Sequence, residues 1–187
     1  ALKCDIARFF DSVDHDTLLL LLRRKIADCR AFCLVEQIVR GFETTVGKGL
    51  QLGNVTSQLF ANIYLNELDQ FMKRTLQVRR HVRYCDDFVV VSDSNDFSEI
   101  IRLLRAFLAE RLNLALHPKK VIVRSYVRGV DFLGYVLRPY HRTLRTRTKR
   151  RMLRRVCAEN VSSYLGVLEH CAGFKIRKTV FDKLTVQ

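Results

Sequence analysis

The sequence lacks a long apolar run, a signal-peptide layout and paired cysteines. No stretch approaches the roughly 18 apolar residues that a membrane span requires, so we expect no membrane partner. The first residues do not have the arrangement of a secretory signal peptide. The six cysteines form no CxxC pair. This argues against a zinc site or a disulfide framework and favours reduced thiols in a cytoplasmic protein.

The charge is strongly unbalanced. The 187 residues carry 33 Lys and Arg against 19 Asp and Glu, a net charge of +14. Such an excess indicates a polyanionic partner, most often nucleic acid, although a merely basic protein or one that meets anionic membranes also has it. Nine of the basic residues and no acid lie between Arg138 and Arg155. We therefore place a domain boundary near Arg138, between residues 1–137 and 138–187.

The hydrophobic pattern predicts an α+β protein. We expect a strand over 2–10 that carries Asp5, and a hairpin with strands over 81–84 and 88–91 around Cys85, Asp86 and Asp87. Helices are predicted from a cap at Asp14 or Asp16 to Ile26, over 32–42, 56–76, 97–112 (with an Asp96–Glu99 capping box), 148–160 and 162–172, and further strands over 121–126 and 132–137. This order matches the split βαβ plan, with helices on one face of an antiparallel sheet.

Three acidic residues are candidates for metal binding. In the split βαβ plan the first strand lies beside the hairpin, which would bring Asp5 to Asp86 and Asp87. Three carboxylates at one sheet edge suit Mg²⁺, and two such ions can promote nucleotide addition. Strand alternation directs Asp87 to the other face from Asp86, so we expect Asp5 and Asp86 to be the bridging ligands. Adjacent aspartates also occur in ordinary hairpin turns.

Four ordered segments resemble successive motifs of reverse transcriptases. They are residues 4–13 (CDIARFFDSV), 53–58 (GNVTSQ), 83–88 (RYCDDF) and 132–135 (FLGY). Residues 52–58 (LGNVTSQ) are most similar to the diversity-generating retroelement enzymes, since group II intron and retron enzymes usually show QGxxxSP there. Residues 163–170 (SYLGVLEH) resemble the thumb of the same group.

The resemblance implies a reverse-transcriptase palm over 1–137, ferredoxin-like with an antiparallel sheet, followed by a partial basic helical thumb over 138–187. It implies an error-prone RNA-directed DNA polymerase that uses two Mg²⁺ ions, with Mn²⁺ as a possible substitute. The implied partners are an RNA template, a DNA or RNA primer, deoxynucleotides and a small basic accessory protein. The alternatives are a group II intron or retron enzyme, and a non-catalytic nucleic-acid-binding remnant.

Roles carry over residue by residue. Asp5, Asp86 and Asp87 match the metal-binding triad, and Phe10 matches the gate against a 2′-hydroxyl, although it also reads as a core aromatic. Lys120 matches a lysine that protonates pyrophosphate, with Lys119 as the competing choice. The remaining candidates are nucleotide-pocket positions Ile6, Leu52, Gly53 and Gln58, primer-grip positions Phe132, Leu133 and Gly134, and nucleic-acid contacts Arg147, Arg150, Arg151, Arg154 and Arg155.

Two departures from the family pattern affect these expectations. Gln51 stands where relatives often have proline, which predicts a less rigid loop before Gly53. The fingers motifs upstream of the palm are absent, and the first residue is not Met, so we expect a fragment or a truncated reading frame.

Overall fold

An antiparallel sheet organises the first part of the chain. The computed structural model describes residues 1–93 and 96–185, and the chain separates into two units, Ala1–Val123 and Arg124–Gln187. The first unit has the strands β1 (Leu2–Asp5), β2 (Arg80–Tyr84), β3 (Asp87–Val91) and β4 (Ile122–Val123). The first unit forms one sheet in the order β2-β3-β1-β4, with β1 at its interior. Its helices are α1 (Phe9–Ser12), α2 (His15–Arg23), α3 (Cys29–Arg40), α4 (Val55–Gln70), which continues into a π-helical turn over Phe71–Thr75, and α5 (Ser98–Leu112).

The two faces of β1 have different partners. Leu2 and Cys4 pair with Val90 and Phe88 on β3, and all four side chains join the core formed with α2, α4 and α5. Side chains alternate along a strand. Lys3 and Asp5 therefore point away from this core, which places Asp5 on the opposite face of the sheet.

Local capping signals set the starts of the helices. The side chain of Asp14 accepts a hydrogen bond from the backbone N–H of Thr17 at 2.9 Å, which selects Asp14 over Asp16 as the cap of α2. Asp28 caps α3 in the same way, so this helix begins earlier than predicted. The capping box predicted before α5 is confirmed for the cap Asp96 and wrong for its partner Glu99. Asp96 accepts from Ser98, but the Glu99 carboxylate pairs with Arg102.

Three strand predictions are wrong in extent. The first strand ends at Asp5 because Arg8 adopts a left-handed conformation (φ 44°) that opens α1. The strand predicted over 121–126 shrinks to Ile122–Val123 and is followed by a 3₁₀ turn at Tyr126–Arg128. The strand predicted over 132–137 is a hairpin, because Leu133 and Gly134 both have positive φ and reverse the chain.

The second unit combines a small sheet with three-helix packing. Strands β5 (Val130–Phe132), β6 (Tyr135–Leu137) and β7 (Arg142–Leu144) form an antiparallel sheet in that order. Helices α6 (Thr146–Arg155), α7 (Val161–Glu169) and α8 (Phe174–Thr185) follow, and their buried side chains form a second core. Helix α6 stops before the predicted end because Asn160 bonds the backbone of Cys157 and Arg155. Helix α8 was not predicted.

The architecture confirms the mixed α+β class and the position of β1 beside the hairpin. The structural division falls after Val123, since β5 and β6 pair with β7 on the far side of Arg138. The functional boundary at Arg138 stays a prediction, and residues 186 and 187 of the predicted second domain lie outside the described residues. Across 1–93 and 96–185, no helix has the length and apolar character needed to span a membrane.

Candidate functional site

The three candidate carboxylates meet where β1 ends beside the β2–β3 hairpin. Asp5 lies directly opposite Asp87 in the register of β1 and β3, so both side chains point to the same face of the sheet. Asp86 belongs to the two-residue turn between β2 and β3, and its carbonyl accepts a hydrogen bond from the N–H of Ile6 at 3.2 Å. Strand alternation therefore does not govern Asp86, and it is Asp87 that shares a face with Asp5.

Two lysines neutralise part of this negative charge. The ammonium group of Lys120 lies 2.8 Å from Oδ2 of Asp5, and that of Lys3 lies 3.2 Å from Oδ2 of Asp87. The loop that carries Lys120 is attached at its start, because the N–H of His117 donates to the carbonyl of Asp5 at 2.8 Å. Of the two lysines considered from the sequence, Lys120 is the one that reaches the carboxylates.

The electrostatics of the cluster follow from this crowding. Burial raises the pKa of Asp86, and the charges of Asp5 and Asp87 raise it further. The hydrogen bond to Asp5 raises the pKa of Lys120, so its ammonium form is favoured. Among the residues that the structure describes, Oδ1 of Asp87 is buried and has no hydrogen-bond partner. A buried acceptor without a partner is costly, which suits it to receive a cation.

The donor set fits a hard divalent cation. As the side chains stand, the residues that the structure describes form no group of three or more His, Cys, Asp or Glu arranged to hold a metal ion. The carboxylates of Asp5 and Asp87 are paired with ammonium groups instead. Oxygen ligands of this type are nevertheless those that Mg²⁺ prefers, and Asp87 keeps one unsatisfied oxygen.

A cavity of about 290 Å³ lies beside the aspartate turn. The sequence predicted five residues that contact the nucleotide, counting Phe10, and four of them line this cavity together. The β2–β3 hairpin contributes residues next to Asp86. The lining comprises Phe10, Leu52, Gly53, Asn54, Ser57, Gln58, Asn62, Arg83, Tyr84 and Cys85. The fifth, Ile6, has only 1% of its side chain exposed and joins the core. Ile6 therefore contacts the aspartate turn through its backbone N–H, while its side chain packs in the core.

The loop that carries Leu52 and Gly53 is fastened to the start of α2. Buried His15 bonds the carbonyl of Gly49 through Nε2 at 2.8 Å. The N–H of Leu50 donates to the carbonyl of Phe10 at 2.7 Å. These bonds place Leu52 and Gly53 beside Phe10, although Phe10 lies more than 40 positions earlier in the sequence.

Sequence reasoning missed the role of Arg83. Its guanidinium makes a forked pair with Asp69 on α4, with Nε–Oδ1 at 2.8 Å and Nη2–Oδ2 at 2.5 Å. Nη1 also donates to the carbonyl of Cys85 at 3.1 Å. Arg83 lies inside the RYCDDF segment, which was the only available signal, and Asp69 carried none.

Comparison with known proteins identifies the family. A family model described as "Reverse transcriptase (RNA-dependent DNA polymerase)" matches residues 1–137. The chain belongs to the reverse transcriptase family. The match contains Asp5, the aspartate turn and the cavity residues, so the whole candidate site lies inside the reverse transcriptase segment.

The relatives of this chain are longer proteins. Protein YkfC of Escherichia coli is 29% identical over 184 residues, covering 78% of this chain and 47% of YkfC. The group II intron-encoded protein LtrA of Lactococcus lactis is 23% identical, covering 96% of this chain and 40% of LtrA. The putative COX1/OXI3 intron 2 protein of Saccharomyces cerevisiae is 22% identical, covering 72% of this chain and 23% of that protein. The chain spans less than half the length of these relatives.

The basic residues of the chain are concentrated in its second unit. Residues 124–187 carry 15 Lys and Arg against four Asp and Glu, which accounts for +11 of the net +14. Helix α6 buries Met152 in the local core. The five predicted nucleic-acid contacts, Arg147, Arg150, Arg151, Arg154 and Arg155, are all exposed on this helix. The primer-grip candidates Leu133 and Gly134 form the β5–β6 turn.

Proposed function

We propose that this chain carries the catalytic centre of an RNA-directed DNA polymerase that extends a primer with deoxynucleotides. The observation that carries the proposal is the meeting of Asp5, Asp86 and Asp87 beside the cavity lined by Phe10 and Gly53. The strand order β2-β3-β1-β4 supports a reverse-transcriptase palm, because it is the order of the split βαβ plan.

Asp5, Asp86 and Asp87 would hold two Mg²⁺ ions, and Mn²⁺ could replace them. Ions bound at this cluster would supply activation of the primer 3′-hydroxyl and stabilisation of the departing pyrophosphate. The protein contributes the negative charge that attracts them, with one oxygen of Asp87 still unsatisfied. The ammonium group of Lys120 lies 2.8 Å from Oδ2 of Asp5, where it could supply a proton to the departing pyrophosphate.

The cavity residues divide the recognition of the nucleotide. Phe10 lies at the cavity wall, where an aromatic ring would exclude a ribose 2′-hydroxyl. Leu52 has 69% of its side chain exposed and presents an apolar surface where related enzymes have glutamine. The loss of that polar contact supports error-prone copying opposite template adenines, and hence the diversity-generating subtype. That subtype implies a small basic accessory protein as a further partner.

The second unit is proposed as a partial thumb that holds the template and primer. Helix α6 presents its arginines to solvent and has no acidic residue. Phosphate contacts of this kind recognise a duplex by its backbone and weaken as salt increases. RNA–DNA hybrids, which approach the A form, are recognised largely by shape, so sequence-independent binding is expected.

A group II intron-type enzyme is the second candidate. It is favoured by the relatives, since LtrA is named as a group II intron-encoded protein. The two candidates differ in fidelity. A diversity-generating enzyme should misincorporate at template adenines and not at other bases, whereas an intron-type enzyme should show no such bias.

Primer extension tests the proposal. The full-length protein that contains this chain should extend a primer on an RNA template with Mg²⁺ or Mn²⁺, and Asp86→Asn should abolish extension. Asp93→Asn is the matched control, because Asp93 is a neighbouring acid on the surface, paired with exposed Arg80. If a correctly folded wild-type protein does not extend primers, or if Asp86→Asn retains full activity, the polymerase proposal is wrong. A non-catalytic remnant would bind RNA equally well with and without Asp86→Asn.

A further inference from the structure

The turn that presents Asp86 has a backbone conformation that its sequence does not favour. Tyr84 and Asp87 are paired across β2 and β3, so Cys85 and Asp86 form a two-residue connection. Cys85 has φ 50°, in the left-handed region. Glycine is the usual residue at a positive φ in such hairpin turns. A side chain there costs on the order of 1 kcal/mol and persists only when surrounding contacts hold it.

Two contacts hold this turn from opposite sides. On one side the N–H of Ile6, from the chain just after β1, donates to the carbonyl of Asp86. On the other side Nη1 of Arg83 donates to the carbonyl of Cys85 at 3.1 Å. The first contact joins the turn to the strand of Asp5, and the second joins it to the guanidinium of Arg83.

The guanidinium of Arg83 is itself fixed by α4. Both oxygens of Asp69 accept from it, and the side chains of Arg83 and Asp69 are 10% and 28% exposed. Forked pairs of this type restrain orientation as well as position, and lysine cannot reproduce them. The chain of contacts Asp69–Arg83–Cys85 therefore transmits the position of a long helix to the turn that contains Asp86.

We propose that Arg83, oriented by Asp69, is a positioning residue that keeps the Cys85–Asp86 turn in its strained conformation and thereby sets the position of Asp86 relative to Asp5. The kinetic consequence rests on the proposed polymerase function. The structural consequence does not, because it concerns the turn alone. The pair Arg80–Asp93 on the same hairpin lies at the surface, since its side chains are 66% and 94% exposed, and it provides the comparison.

Steady-state primer extension by the full-length protein tests the kinetic consequence. Arg83→Lys and Asp69→Asn should each lower kcat by about 10- to 100-fold, the equivalent of losing a charged hydrogen bond in the transition state. The KM for deoxynucleotide should change by less than about threefold, because a positioning residue acts on the chemical step. The double variant should lose little more than either single one. Arg80→Lys is the control and should match the wild type.

Relief of the strain provides a rescue that a purely structural role would not give. Glycine adopts a positive φ without cost. In a Cys85→Gly background, Arg83→Lys should therefore reduce kcat by less than about threefold, compared with the 10- to 100-fold reduction in the parent. Arg83 also lines the cavity. If its replacement raises KM and leaves kcat unchanged, Arg83 contacts the nucleotide instead, and the positioning role is overturned.

Amide hydrogen exchange on the 187-residue chain separates the two proposals. The N–H of Ile6 reports the position of the turn through its bond to Asp86. Arg83→Lys should accelerate its exchange by about tenfold relative to Arg80→Lys, and Cys85→Gly should restore the protection. Unchanged exchange at Ile6 overturns the positioning role even if the enzyme is active. Faster exchange in a protein without polymerase activity supports the positioning role and refutes the proposed function alone.

Discussion

The ion pair of Lys3 with Asp87 allows the charge balance of the carboxylate cluster to be measured. Lys3→Met removes the ammonium group and keeps the apolar stem. Breaking a fully buried pair costs about 3–5 kcal/mol, and breaking an exposed pair about 0.2–1 kcal/mol. The Lys3 and Asp87 side chains are 17% and 25% exposed, which places the expected loss near 2 kcal/mol between those limits. For a chain of this size the melting temperature should fall by about 4–8 °C.

Thermal unfolding followed by circular dichroism, at low salt and with a chelator, measures this loss. Lys25→Met is the matched control, because Lys25 is exposed and its substitution should leave Tm unchanged. Mg²⁺ should then reduce the difference in Tm between Lys3→Met and the wild type, since a cation bound only by the folded state supplies the missing charge. A Tm equal to that of the Lys25 control would refute the reasoning. A deficit that Mg²⁺ leaves unchanged would show that the cluster does not accept the ion in place of Lys3.

Four further predictions address stability, pH dependence and recognition. Tyr64→Phe removes the buried 2.7 Å hydrogen bond to the Leu112 carbonyl and should lower the unfolding free energy by about 1–2 kcal/mol in urea titration. Burial and the neighbouring carboxylates raise the pKa of Asp86 above its ordinary value of 3.8. The folded state therefore loses stability as the pH rises from 3.8 through this raised pKa. Asp86→Asn should therefore exceed the wild type in unfolding free energy at pH 7 but not at pH 3. Phe10→Ala should increase incorporation of ribonucleotides relative to deoxynucleotides in primer extension, because the ring lines the cavity. Arg150→Gln should weaken RNA binding and reduce the slope of log affinity against log salt by about 1 in a fluorescence titration.

Much of the local structure could be predicted from the sequence, because its causes are local. Asp14 was one of the two predicted caps of α2, and two short runs of residues that favour strands identified the β2–β3 hairpin. The prediction was less successful where a single backbone angle decided the outcome. Arg8 ends the first strand early, and Leu133 with Gly134 turns an expected strand into a hairpin. Arg8 has no side chain that favours positive φ, so the sequence contained no signal for the first turn, whereas Gly134 was a turn signal that the predicted strand passed over.

The residues of the candidate site were predicted from the sequence, whereas their positions relative to one another depend on the fold. The motif spacing identified Asp5, Asp86, Asp87 and the cavity residues, whose functional roles remain predictions. The lining of one cavity by Phe10, Leu52, Gly53 and Gln58 depends on a loop that His15 fastens from a distance. Hydrogen bonds between residues so far apart in sequence leave no periodic pattern. The sequence therefore identified the loop but not its position in the fold.

The sequence by itself determined the family of this protein, its α+β class, its charge and the identity of its acidic cluster, because motifs, periodicity and composition are properties of the linear chain. Only the tertiary structure decided that Asp87 lies opposite Asp5, that Lys120 pairs with Asp5, and that Arg83 joins α4 to the Cys85 carbonyl. Each of these depends on strand register or on a contact with a distant residue. Lys120 and Asp5 are 115 positions apart, and only the packing of the sheet and its loops brings them within hydrogen-bonding distance.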